Sequence, residues 1–98
     1  MSTQMPPLHA EFEQIKHAEA KRKPRVAMPA KHTIEFSAGH TSLAVFVSEG
    51  PILVPSVGQR VMVHGVYVEV TEVDVAYEVT EDGRDAVFAS IEVTNTEQ

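Results

Sequence analysis

The sequence predicts a mainly β domain, a small five-stranded barrel with a bent fourth strand, preceded by an N-terminal α-helix. Three observations carry that expectation. Residues 33–98 hold eleven carboxylates against two arginines, whereas residues 1–32 hold six Lys/Arg against three glutamates. A basic arm and linker (1–30) is thereby set off from an acidic, valine-rich body (31–98). The five glycines, at 39, 50, 58, 65 and 83, all fall between strand-like runs, as tight turns require. In the longest of those runs the valines change parity part-way along, which a straight strand facing one core cannot do.

In the arm, Pro6-Pro7 followed by residues 8–23 reads as a helix. A proline is tolerated in a first turn, and Pro24 stops the helix near Lys23. Glu11 and Glu13 near the start and Lys21, Arg22 and Lys23 at the end complement the helix dipole. Leu8, Phe12 and Ile15 recur at i, i+4 and i+7 and make a narrow apolar docking stripe. Three such residues cannot hold a free helix, so the stripe must dock on the body, dock on a partner, or fray. Residues 24–31 read as an extended linker, since each proline biases its predecessor away from helix.

In the body, His32–Phe36 places Ile34 and Phe36 on one face, and Ser42–Ser48 places Leu43, Val45 and Val47 together. Arg60–His64 pairs Val61 with Val63, and the closing run Ala86–Thr94 aligns Val87, Ala89, Ile91 and Val93. Between them, Val66, Val68 and Val70 are even-numbered, while Val73, Val75, Tyr77 and Val79 are odd-numbered. One extra residue near Thr71-Glu72 restores a common facing, which predicts a β-bulge or sharp bend there. Glu81-Asp82-Gly83-Arg84 supplies an Asp-Gly hairpin turn into the last strand. Five short strands, one of them bent, suggest an SH3-like or OB-like barrel that closes on itself.

Residues 54–70 run proline, valine-glycine, strand, glycine turn, then a strand that begins at an aromatic: Val54-Pro55-Ser56-Val57-Gly58, Arg60–His64, Gly65, Val66-Tyr67. That order resembles the approach to the bent strand pair in small SH3-like β-barrel proteins of bacteriophages and prophages, and the likeness spans residues 31–94. It implies an accessory or virion-associated role and supplies no functional residues.

With the inward set assigned as above, Ala44, Phe46, Met62, Tyr67 and Phe88 point outward. Phe46, Met62, Tyr67 and Phe88 would form an apolar patch of the kind a soluble monomer rarely leaves bare. The arm helix, a second copy of the chain, or a different protein could cover it. The outward acids Glu69, Asp74, Glu78 and Glu92 would form an acidic face suited to a basic partner surface.

No chemistry-bearing motif stands out. His9, His17, His32, His40 and His64 show no metal spacing on one element, and a zinc site would have to be assembled across the fold from His32, His40 and His64. Ser37, His40 and Ser42 lack a carboxylate to orient the ring, and Glu81, Asp82 and Asp85 do not have calcium-loop spacing. With no cysteine there is neither a disulfide nor a thiolate site. An enzyme is not expected, nor a cofactor or metal. The start has no signal-peptide pattern, and no apolar stretch approaches the ~20 residues of a membrane span. A soluble, cytoplasmic protein is expected, in the host cytoplasm if phage-encoded.

Three functions remain open. The first is a protein-binding module, a phage or prophage accessory protein that binds or inhibits a host complex. The second is a structural virion or oligomeric scaffold subunit. The third is a nucleic-acid binder that uses Lys16, Lys21, Arg22, Lys23 and Arg25 on the arm, since the net charge of −6 makes the body itself unsuited to phosphate.

Overall fold

The computed structural model describes residues 9–22 and 28–96. A helix, α1 (Ala10–Lys21), precedes five strands: β1 (Lys31–Ala38), β2 (Thr41–Ser48), β3 (Arg60–Val63), β4 (Val66–Val79) and β5 (Asp85–Asn95). They form one sheet in the order β2-β1-β5-β4-β3, antiparallel except for the parallel β1–β5 pair. The expected mainly β architecture with one helix is therefore present, and each predicted strand lies within a few residues of its observed bounds.

The bend in β4 is where the valine pattern puts it. Val70 stands opposite Val93 and Glu72 opposite Glu92, so Thr71 is the extra residue of a bulge. Val70 and Val73, opposite Val93 and Ile91, consequently share the inner face. The inner face holds the core: Ile34, Phe36, Val70, Ala89, Ile91 and Val93 are buried, with Ala38, Ile52, Val61, Val63, Val68 and Val73 packed around them.

Two hairpins turn in two residues each. Gly39-His40 (φ 56° and 71°) joins β1 to β2, and His64-Gly65 (φ 50° and 85°) joins β3 to β4. Positive φ at both central positions matches the right-handed twist of the flanking strands. The β4–β5 turn closes on Gly83 (φ 88°), with Thr80 N–H donating to the Arg84 carbonyl at 2.8 Å.

Two expectations are corrected. The sheet does not close: it curls into a half-barrel, with β2 and β3 as its edges. The curl brings the Phe46 ring on β2 within 5.4 Å of the His64 ring beside β3, without pairing the strands. Residues 49–59 cross from one edge to the other, inserting Ile52 beneath the core and tying to β4 through Gly58 N–H to Val70 O (2.8 Å) and Val70 N–H to Gln59 O (2.9 Å).

The second correction concerns β2. Ile34 lies opposite Phe46 and Phe36 opposite Ala44, so Ala44 and Phe46 face inward while Val45 and Val47 face outward, the reverse of the expected set. Phe46 packs edge-on against Phe36 at 6.1 Å. Both parities of β2 are apolar, so alternation within the strand could not choose between them, and only the register with β1 does. A second bulge leaves Leu43 as the extra residue near the hairpin.

Candidate interaction surfaces

Cross-strand partners share a face, so the outer surface of the half-barrel follows from the registers. Glu35 on β1, Glu69, Glu72, Asp74 and Glu78 on β4, and Glu92 on β5 all lie on it. The expected acidic set Glu69, Asp74, Glu78 and Glu92 is thus on one face, joined by Glu35 and Glu72. Glu72 and Glu92 stand directly opposite each other, a like-charge pair that opposes the fold. Glu92 is also committed internally. Its carboxylate accepts from Ser37 Oγ (3.2 Å) and from Gly39 N–H (2.5 Å), pinning the β1–β2 turn.

The four expected patch residues are not brought together. Met62 and Tyr67 face each other across β3 and β4 on the outer side, with the Arg60 guanidinium 4.2 Å above the Tyr67 ring. Phe88 is also outside, but opposite Ala76, on the order of 30 Å along β4 from Tyr67 at 3.3–3.4 Å per residue. Phe46 belongs to the inner face.

Nor does α1, the described helix of the arm, cover a patch. No residue of α1 is buried, and Phe12 and Ile15 are both more than half exposed. Leu8 lies outside the described residues. Ile15, Ala18 and Arg22 instead line an open groove against Tyr77, Val79 and Thr80 at the far end of β4. An ion pair fixes the helix there: Arg22 donates through Nη2 to Asp85 Oδ1 and through Nη1 to Glu19 (3.2 Å). The hydrogen bond that Arg22 donates to Asp85 is the main cause that raises the Arg22 pKa further above its usual value, and the one to Glu19 adds to it. Arg22 leaves the helix with an extended backbone (ψ 150°) to make this contact, which is why α1 stops at Lys21.

The ion pair also takes Arg22 out of the expected nucleic-acid set. Lys16 and Lys21 remain exposed, and Lys23 and Arg25 lie outside the described residues. A second anchor holds the other side of the linker: Arg84 Nε donates to the Pro29 carbonyl (2.9 Å), with Nη2 3.9 Å from Glu49.

The surface that sequence reasoning missed is the β2 edge. Leu43, Val45 and Val47 are each more than half exposed, and the following segment adds Leu53 (95% exposed) and Val57 (64%). Its signal was present in the strand's two apolar faces, a pattern proper to a strand covered on both sides. His40 and His64 are the second residue of one turn and the first of the other. No cluster of three or more His, Asp or Glu among the described residues is placed to hold a metal ion. No helix among them is long and apolar enough to cross a membrane.

No protein-family model, curated protein or solved structure matches the chain.

Proposed function

We propose that this chain is a non-enzymatic protein-interaction module, an accessory protein of phage or prophage type that binds another protein or protein complex. The single observation that carries the reading is the apolar surface that the described residues leave uncovered along β2 and the crossing segment: Leu43, Val45, Val47, Leu53 and Val57. Exposed apolar area on that scale, on a small acidic domain, belongs to a contact surface. The SH3-like or OB-like likeness is part of this proposal. Its support is the five-stranded curled sheet with the bulged β4.

The outer carboxylates give the module a second, electrostatic means of engagement. Glu69, Asp74 and Glu78 would meet a basic surface of the kind that otherwise holds nucleic acid, which is the inhibitor form of the reading. Direct nucleic-acid binding is disfavoured, because Arg22 is paired with carboxylates and the outer face of the sheet, with Glu35, Glu69, Glu72, Asp74 and Glu78, repels phosphate.

The test is capture from a lysate by the immobilised full chain, followed by quantitative binding to the captured protein at increasing salt. Affinity should fall as salt rises, because charge pairs at a rim are screened. A Glu69→Lys, Asp74→Lys, Glu78→Lys variant should bind more weakly. Affinity indifferent to both salt and this variant would remove the basic-partner form of the proposal.

A further inference from the structure

The two edges of the half-barrel are unlike. β3 offers four residues, whereas β2 offers eight, Thr41–Ser48, with no charged residue and no proline among them. Along an edge strand, alternate N–H and C=O groups point away from the sheet and invite another strand. Natural edges are blunted by charge, proline or a bulge. On β2 only the bulge at Leu43 does this, close to the hairpin, and Ala44–Ser48 is unguarded. Val45 (53% exposed) and Val47 (59%) are bare on the outer side, and Phe46 is part-exposed on the inner side.

We infer that a second copy of this chain covers β2, the two strands pairing antiparallel about a two-fold axis through Val45 to join two half-barrels into one continuous sheet. The inference rests on the interaction-module reading above: it assigns the β2 edge to a second copy and leaves the acidic face of β4 to the other protein. Two features select a second copy. First, the strand is self-complementary. Period-two alternation requires the axis to pass through a residue, so that inner side chains meet inner ones. An axis at Val45 sets Ala44 against Phe46 and Val45 against its own mate, apolar and clear of the bulge, whereas an axis at Phe46 would set Ala44 against the polar Ser48.

Second, charge permits the contact. The body is strongly acidic, yet its carboxylates avoid β2 altogether. Glu35, opposite Val45 on β1, would stand three strand spacings from its mate, about 14 Å. That exceeds the Debye length of ~8 Å at physiological salt. A basic partner would be drawn to the carboxylates of β4 and not to this edge.

The test uses the full chain, which has no cysteine of its own. Light scattering over a concentration series should show a monomer passing to a dimer. Val45→Cys should give a disulfide-linked dimer on mild oxidation, because facing residues of an antiparallel pair bring Cα atoms to ~4.5–5.5 Å. Met62→Cys, on the opposite edge strand, should not. Val45→Lys with Val47→Lys should abolish the dimer while leaving the circular dichroism of the sheet unchanged, since both side chains are already half in solvent.

A wild-type chain monomeric at every concentration would overturn the inference. So would a dimer indifferent to the lysine pair, or cross-linking equally efficient at Met62→Cys. A monomer that still captures another protein, and loses it with the lysine pair, would assign the edge to a foreign strand. Self-pairing would then fall while the interaction-module reading stood.

Discussion

Ile91 on the central strand β5 has no solvent exposure, and with Val70 it anchors a core of six buried side chains among the described residues. Truncation there removes packing that nothing nearby can replace. Ile91→Ala should cost about 2–5 kcal/mol. Against the roughly 5–15 kcal/mol of a typical domain, that loss is a large fraction of the whole. Denaturant titration followed by circular dichroism measures it. At the β4–β5 turn, the Thr80 hydroxyl donates to the Asp82 carboxylate, and this bond chiefly holds Asp82 below its usual pKa. A carboxylate whose folded pKa is depressed contributes stability above its unfolded pKa and loses it as pH falls through the folded one. The wild-type melting temperature should therefore drop by a small step on acidification through and below the ordinary Asp range. Asp82→Asn should lack that step and melt slightly lower at neutral pH. A step of equal size in both would refute this role.

Among the elements, β4 shows best what could be read from residues alone. Its outer positions are mostly acidic and its inner ones mostly valine, so the change of parity across Thr71 stood out in the sequence. β2 carries no such contrast. Its facing depends on a register with β1 that no local pattern encodes; that register turns Phe46 inward, and the distance along β4 from Tyr67 to Phe88 disperses the rest of the expected patch. The arm was readable as a helix but not as to where it sits. That is decided by an ion pair between Arg22 and Asp85, 63 residues apart. The bulge itself can be tested by contrast. Thr71→Ala loses the hydroxyl's bond to the Glu92 carbonyl (3.2 Å) and should cost about 0.5–1.5 kcal/mol. Deleting Thr71 turns one half of β4 over relative to the other and should abolish cooperative unfolding. Deletion as mild as the substitution would show that the extra residue is not what keeps β4 facing one core.

At the scale of the whole molecule, the dimensions are those of an unfinished object. The chain extends 62 × 35 × 23 Å with a radius of gyration of 17.9 Å, against roughly 13 Å for a compact domain of this length. The arm stands off at one end, and the sheet stops short of closure between β2 and β3. The small core, the bare valines of β2 and the apolar crossing segment are consistent with one another if the missing packing comes from a second chain. Amide hydrogen exchange along β2, measured at low and high protein concentration, tests this most directly. The account predicts that alternate amides of Ala44–Ser48 exchange freely when dilute and become protected as concentration rises, while β1 and β5 stay protected throughout. Exchange along β2 that does not change with concentration would contradict it.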